Sequence, residues 1–118
     1  MGYSIYLFRK EVKEQNETFD FLEIEALIEK FSEDQFNKLK IRLLKYKYQI
    51  EKETNEEIVF NFKGGEHNIQ VMLRYSGLYF SSGFSEDGIF EINMTASEFT
   101  DSDEFVKLDP QEGEWEVN

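Results

Sequence analysis

The chain contains no cysteine, one histidine and one proline among its 118 residues. Without cysteine it forms no disulfide, offers no thiolate nucleophile and provides no cysteine ligand for zinc. With one proline and no low-complexity tract, it has no stretch that is typical of a linker between domains. We therefore predict a single domain over residues 1–118.

Long apolar runs are also missing. No stretch approaches the roughly 20 apolar residues that a membrane-spanning helix needs. The first ten residues, MGYSIYLFRK, alternate instead of forming the apolar core of a signal peptide. Gly2 meets one requirement for N-myristoylation, but Tyr6 stands where that modification needs Ser or Thr. These features predict a cytoplasmic protein that does not associate with membranes.

Recognisable catalytic, metal and phosphate motifs are lacking. His67 follows a Gly-Gly pair and no Ser has a nucleophile elbow around it, so we interpret His67 as a turn residue. The segment DSDEFVKLDPQE, Asp101 to Glu112, resembles a calcium loop, but Val106 stands where the loop needs glycine and Phe105 occupies a ligand position. No phosphate-binding loop is present. We expect no catalytic residue, no metal and no cofactor.

Positive charge is scarce, with 13 Lys and Arg against 25 Asp and Glu and a net charge of −12. The imbalance is concentrated in the last third, where eleven acidic residues from Gly77 onward face a single base, Lys107. Such a field repels nucleic acids and anionic membranes and attracts basic proteins. We therefore expect a basic protein partner and no nucleic acid.

The first part of the chain predicts a strand and then a helix. Residues 3–9 alternate and predict a strand, and the polar residues 10–17 predict a loop. Asp20 and Glu23 form a capping-box pattern before apolar residues at helical spacing. This pattern predicts an amphipathic helix over residues 21–31.

A second capping box follows directly. Ser32 and Gln35 have the required spacing, and apolar residues at helical spacing continue from them. Acids in the first turn and lysines in the last match the helix dipole. The second helix is predicted to run to about Lys47.

After the second helix the pattern changes to β-type alternation. Strands are predicted over residues 48–52, 58–62, 69–73, 78–84 and 89–94. The sequence KGGEHN predicts one hairpin turn and SEDG a second, and a final edge segment is expected around Trp115. Grouped helices followed by grouped strands predict an α+β fold, an antiparallel sheet of about five to six strands with a pair of helices packed on one face.

The second predicted hairpin suggests a binding surface. With Leu78 and Phe80 facing the core, Tyr79 on one strand and Glu91 and Asn93 on the next would face outward. Tyrosine beside carboxylates is a composition that binding surfaces favour, although an ordinary solvated face accounts for it equally well. The predicted partner-binding residues are Tyr79, Glu91, Asn93, Asp101, Asp103 and Glu104.

The run GLYFSSGF…EDGIFEINMTASEFTDSDEFVKLDPQEGEWE, from Gly77 to Glu116, resembles small acidic immunity-type proteins of bacterial contact-dependent and polymorphic toxin systems. Residues 3–10 share the resemblance to a lesser extent. The resemblance implies a non-enzymatic protein that binds and neutralises a basic toxin domain. Two alternatives stay open: a structural or homodimeric domain, and a small hydrolase that uses a pair of carboxylates. We expect a monomer or a weak dimer.

Overall fold

The computed structural model describes residues 3–16, 18–62, 69–83, 86–101, 104–111 and 113–115. The helices are α1 (Lys10–Gln15), α2 (Glu33–Lys45) and α3 (Glu86–Phe99), with two short 3₁₀ turns at Asp20–Leu22 and Glu25–Leu27. The strands are β1 (Tyr3–Arg9), β2 (Tyr48–Glu53), β3 (Glu57–Phe62), β4 (Gln70–Arg74), β5 (Leu78–Ser82), β6 (Phe105–Asp109) and β7 (Glu114–Trp115).

Within the described residues the strands form one sheet in the order β2-β3-β4-β5-β1-β6-β7, and each neighbouring pair is antiparallel. The predicted α+β fold is confirmed, with seven strands instead of five to six. The first strand lies inside the sheet, because β1 pairs with β5 on one side and with β6 on the other. The expected edge segment around Trp115 is confirmed as β7.

The sheet has a hydrophobic core on each face. On one face, α2 packs over β2 and β4, while α3 packs over β5, β1 and β6. This larger core contains the fully buried side chains of Leu39 and Leu43 from α2 and of Ile92 and Phe99 from α3. On the opposite face, a smaller core around Phe8 is covered by α1 and the 3₁₀ segment.

Helix α2 begins as its sequence predicts. The Ser32 hydroxyl accepts from the Gln35 amide at 3.1 Å, and the Gln35 side-chain oxygen accepts from the Ser32 amide at 2.9 Å. Both halves of the capping box are therefore present. The helix ends at Lys45, two residues earlier than predicted, and Lys47 then takes a left-handed φ of 71° before β2 begins.

The predicted helix over residues 21–31 is wrong. Phe21 and Ile28 are buried in the smaller core, whereas Phe31 is buried in the larger core against Phe105, at 5.4 Å between ring centroids. The chain therefore passes from one face of the sheet to the other within this segment, which a single straight helix does not allow. Phe19 packs on Trp115 at 5.9 Å between ring centroids, and Ile24, inside the predicted helix, is 51% exposed.

Residues 10–15 are helical and do not form the predicted loop. Val12 is the buried residue of α1 and packs in the smaller core. The Asn16 side chain donates to the Val12 carbonyl at 2.8 Å at the end of the helix. Val12 is thus the apolar residue through which this short polar helix packs against the sheet.

The predicted strand over residues 89–94 and its SEDG turn are also wrong, because residues 86–99 form α3. Strand β5 pairs with β4 and with β1, so it has no free edge for a following strand. Ile92, Ala96 and Phe99 recur at helical spacing and are fully buried, whereas Phe90 is 66% exposed. The alternation of large apolar residues that suggested a strand therefore combines buried and exposed positions of a helix. The KGGEHN turn and His67 lie outside the described residues.

Candidate protein-binding surface

The predicted binding residues do not share one surface. Tyr79 alternates on β5 with the buried Leu78 and Phe80, so its side chain lies on the face of the sheet opposite α3. Its ring packs edge-to-face on Tyr6 at 5.1 Å, and its hydroxyl lies 3.0 Å from the Ser76 hydroxyl. Asp103 lies outside the described residues. Glu91, Asn93 and Asp101 belong to α3 and its C-terminal turn.

Tyr79 lines a shallow depression of about 420 Å³ on the open part of the sheet. Tyr6, Met72 and the exposed Leu22 contribute apolar surface to it, and Arg74 lies at its margin. Arg74 is paired with Glu57 at 3.3 Å. Tyr79 is therefore part of an apolar surface that is separate from the acidic residues predicted to accompany it.

Asn93 holds the helix to the sheet. Its amide donates to the Tyr3 hydroxyl at 3.0 Å and to the Ile89 carbonyl at 2.9 Å. Its backbone carbonyl accepts from Lys107 at 3.5 Å, and Lys107 also donates to Ser97 at 3.0 Å. Lys107 is only 4% exposed. The single base in the acidic third of the chain therefore lies beneath α3, where it fixes the position of the helix.

Two predicted acids have partners within the protein. Asp101 accepts from Arg42 at 3.3 Å, and Glu104 accepts from the Gln35 side chain at 3.4 Å. Hydrogen bonding and charge from Asp34 raise the pKa of Lys38, and Glu104 adds to the rise. These acids follow α3 and link its end to α2.

Glu91 lines a groove of about 340 Å³ between α3 and the end of α2, together with Lys45 and Lys47. Tyr48 is buried and packs on Phe62, a lining residue of this groove, at 5.0 Å between ring centroids. Burial raises the pKa of Tyr48 to about 12, the Thr95 hydroxyl acts in the opposite direction, and the Glu91 carboxylate adds to the rise. Glu91 is therefore half-buried between helices and faces basic side chains of its own chain.

The outer face of α3 has a composition suited to binding. Phe90 is 66% exposed and Met94 is 43% exposed, and no other large apolar side chain in the described residues is more exposed than Phe90. Acidic residues flank them, and α3 contains no Lys or Arg. We define the acidic ridge as the exposed residues Glu86, Asp87, Phe90, Met94 and Glu98.

The acidic ridge lies on a firmly anchored helix. Ile92 and Phe99 are fully buried beneath it, and each contributes about 1.5–3 kcal/mol through removal of apolar surface from water. The Arg42 guanidinium lies 4.7 Å from the Phe99 ring centroid and donates to the Glu98 carbonyl at 3.0 Å. The exposed side chains are thus presented from a backbone whose position is already fixed.

Sequence reasoning missed Phe90 and Met94, because a strand over residues 89–94 with Glu91 and Asn93 facing outward directs these two side chains towards the core. The available signal was the spacing of Ile92, Ala96 and Phe99, which marks one buried stripe of a helix. Glu86 and Asp87 at the start of the segment would have supported the helix, since acids favour the first turn.

Comparison with protein-family models, with curated proteins and with solved structures finds no match to this chain. Among the described residues, no cluster of three or more acidic or histidine side chains has a geometry suited to a metal ion. None of the helices in the described part of the chain has the length and apolar character needed to cross a membrane.

Proposed function

We propose that this protein is a non-enzymatic binding protein that captures a basic protein through the acidic ridge of α3. The observation that carries the proposal is the exposure of Phe90, at 66%, within a helix face whose charged residues are all acidic. The predicted acidic surface is kept in this proposal, but its position moves from a sheet face to the outside of a helix.

An exposed aromatic residue on a rigid helix suits a protein interface for a physical reason. A phenylalanine ring removes a large apolar area from water when a partner covers it, and it loses little conformational entropy because it has few rotatable bonds. Residues of this kind dominate the binding energy of many interfaces. Phe90, with Met94 one turn away, provides such an anchor.

The acidic residues around Phe90 raise the rate of association with basic proteins and make binding selective for them. Glu86, Asp87 and Glu98 lie in a molecule whose net charge is −12, so the field around the ridge attracts cationic proteins before contact. Steering of this kind raises association rates towards about 10⁸–10⁹ M⁻¹s⁻¹ at low salt. Proteins with a basic surface are therefore selected over neutral or acidic ones.

We further propose that the captured protein is a toxin domain, which this protein neutralises. This part rests on the resemblance of Gly77–Glu116 to immunity-type proteins. Neutralisation requires only that the partner's functional surface be covered, so a tight complex at the acidic ridge is sufficient and no reaction is needed.

The proposal is tested with the purified full-length protein and a basic protein recovered with it from its own source cells. Binding of that protein is measured by calorimetry for the wild type, for Phe90→Ala and for Ile24→Ala. Ile24 is a matched control because it is 51% exposed and lies in the segment that covers the opposite face of the sheet. We expect Phe90→Ala to cost at least about 2 kcal/mol, or roughly thirty-fold in Kd, and Ile24→Ala to have no measurable effect.

Equal affinity of Phe90→Ala and wild type would overturn the assignment of the surface. The toxin part is tested separately by expressing the recovered protein in cells with and without this chain. Growth arrest by the recovered protein that is relieved by the wild type, but not by Phe90→Ala, supports neutralisation. Normal growth in the absence of this chain would contradict it.

A further inference from the structure

The face of the sheet opposite α3 carries side chains in rows that cross several strands. Tyr6 of β1 is opposite Tyr79 of β5, and Tyr79 is opposite Met72 of β4. Residues directly opposite each other in an antiparallel sheet have side chains on the same face, about 5 Å apart. Tyr6, Tyr79 and Met72 are all partly exposed. We call these three residues the apolar row.

A second row of a different character lies next to the apolar row. Two residues further along each of the same strands lie Ser4, Ser81 and Gln70, which are opposite one another in the same way. Every second side chain of a strand returns to the same face, so this row is parallel to the first. None of its three side chains makes a hydrogen bond within the described residues, and those of Ser81 and Gln70 are exposed. We call these residues the polar row.

The two rows line two shallow depressions that share the apolar row. One, of about 420 Å³, extends from the apolar row to Leu22 and Ile28, and the other, of about 210 Å³, contains the polar row. Ligand sites in proteins commonly have volumes of about 300–1,000 Å³, so the space is sufficient for a small molecule. This surface therefore offers apolar contact at one end and hydroxyl and amide groups at the other.

This surface has no unbalanced charge. Arg74 is the only charged side chain among the described residues that line the two depressions, and it is paired with Glu57 at 3.3 Å. The net charge of −12 repels anions from the whole molecule. Within the described lining there is also no carboxylate that could hold a cation. An uncharged ligand is therefore favoured over a charged one.

We propose that this surface binds an uncharged carbohydrate. Sugar rings combine C–H groups, which pack on aromatic and thioether side chains, with hydroxyl groups that both donate and accept hydrogen bonds. The hydroxyl and amide groups of the polar row also donate and accept, so they can pair with a sugar hydroxyl in either sense. Each row crosses three strands, or about 10 Å, which suits an extended molecule lying on the sheet.

The aromatic part of the site is held in place before any ligand arrives. Tyr79 packs edge-to-face on Tyr6 at 5.1 Å, and its hydroxyl lies 3.0 Å from that of Ser76, which is 4% exposed. The two rings therefore lose little conformational entropy on binding. Because the depressions are shallow and cover only part of a ligand, we expect a dissociation constant on the order of 1 mM. The site lies on the other side of the sheet from the acidic ridge and is independent of the proposed function.

Carbohydrate binding is tested by NMR titration of the ¹⁵N-labelled full chain. The probes are three uncharged disaccharides, cellobiose, maltose and N,N′-diacetylchitobiose, each added to about 10 mM, well above the expected Kd. We expect at least one of them to shift the backbone amide signals of the apolar and polar rows in a saturable manner. If only deacetylated chitobiose, which carries positive charge, shifts these signals, the assignment of an uncharged ligand is wrong.

Variants of the polar row provide the second measurement. Gln70→Ala and Ser81→Ala each remove one hydrogen-bonding group, so we expect each to raise the dissociation constant about three- to ten-fold. Asn37→Ala is the matched control, because Asn37 is exposed on α2, on the other side of the sheet, and it should bind like the wild type. The amide spectrum of each variant checks that the fold is retained.

Three results would overturn the carbohydrate site. The first is that none of the three disaccharides shifts the signals of the two rows. The second is that the shifts fall on α3 instead of on β1, β4 and β5. The third is that Gln70→Ala and Ser81→Ala bind with the wild-type affinity. None of these results bears on capture of a basic protein by the acidic ridge, which is measured with Phe90→Ala.

Discussion

The Tyr48 hydroxyl is enclosed at the start of β2, close to Thr95 of α3. Its ring packs on Phe62 at 5.0 Å and on Phe80 at 6.5 Å, and the residue is 1% exposed. Thr95 is the polar neighbour of the hydroxyl, which makes no well-formed hydrogen bond among the described residues. A buried hydroxyl in this position costs free energy that a phenylalanine would not.

Tyr48 makes the free energy of unfolding depend on pH in the alkaline range. Its pKa is about 12 in the folded protein and about 10 in an unfolded chain, so the unfolded state loses the proton first. The stabilisation is fully present below about pH 10 and falls by on the order of 2 kcal/mol as the pH rises towards 12. Urea unfolding at a series of pH values should show this decline in the wild type.

The Tyr48→Phe variant is the comparison for that measurement. Because it has no hydroxyl to ionise, its stability should decline less steeply between pH 10 and 12. At pH 7 we expect it to be within about 1 kcal/mol of the wild type, since no well-formed hydrogen bond is lost. Parallel pH profiles for the two proteins would contradict this account.

Gly77 is confined by side chains of the smaller core. A Cβ atom at this position would lie 2.9 Å from the Phe8 ring and 2.9 Å from the Tyr79 hydroxyl. Phe8 is fully buried and cannot move aside freely. We expect Gly77→Ala to lower the free energy of unfolding by about 1–3 kcal/mol. Gly83→Ala is the matched control, because a Cβ at Gly83 has no neighbour within 4 Å. Chemical denaturation of both variants distinguishes steric crowding at Gly77 from a general effect of replacing glycine.

At the scale of elements, the capping box of α2 provides a direct measurement of local stability. Ser32→Ala removes the hydroxyl that accepts from the Gln35 amide at 3.1 Å. We expect a loss of about 1 kcal/mol in the free energy of unfolding, measured by urea denaturation. A double-mutant cycle with Gln35→Ala should show coupling, because the two side chains cap each other reciprocally. Additive effects would show that the two side chains contribute independently and contradict reciprocal capping.

The contrast between α2 and α3 explains what the sequence could predict. The signals of α2 are local: its capping box, its apolar spacing and its terminal charges all favour the same helix. Residues 89–94 alternate like a strand, and what decides against a strand is distant, because both edges of β5 are occupied by β4 and β1. Strand order is set by pairing between remote segments, and no local pattern reveals it.

The predicted grouping of Tyr79, Glu91 and Asn93 on one sheet face is wrong for the same reason. The sequence placed Tyr79 correctly on a strand. The acidic surface was predicted from composition, which does not depend on the order of the strands. The pairing of Tyr79 with Glu91 and Asn93 depended on a hairpin that does not form. Phe90 could be recognised as exposed only once the segment was known to be helical.

At the scale of the whole molecule, charge is divided between the two helices. Arg42 and Asp101 pair at 3.3 Å where the two helices approach each other, and the exposed Lys45 and Glu98 line one groove nearby. The acids of the ridge act together with the net charge of −12 on an approaching partner. Long-range attraction is screened by salt, because the Debye length falls from about 10 Å at 0.1 M to about 3 Å at 1 M.

Association with the basic partner should therefore slow in salt. We expect the association rate constant to fall about ten-fold or more between low salt and 0.5 M NaCl, with a much smaller change in the dissociation rate constant. Stopped-flow or surface-based kinetics measure both. Glu98→Gln should reduce the salt dependence, whereas Glu23→Gln, in the exposed segment on the opposite face, should not. An association rate that is independent of salt would argue against electrostatic capture.

The interior position of β1 affects when the protein becomes complete during its synthesis. Leu7 pairs with Leu78 on one side and with Lys107 on the other. Strand β1 is therefore synthesised long before β5 and β6, the two strands with which it pairs. Until β5 emerges, an apolar strand has no neighbour on either edge, and until β6 emerges one edge is still open. A nascent chain halted before residue 104 should therefore be prone to aggregation and protease-sensitive, and native structure should form only after β6 has emerged.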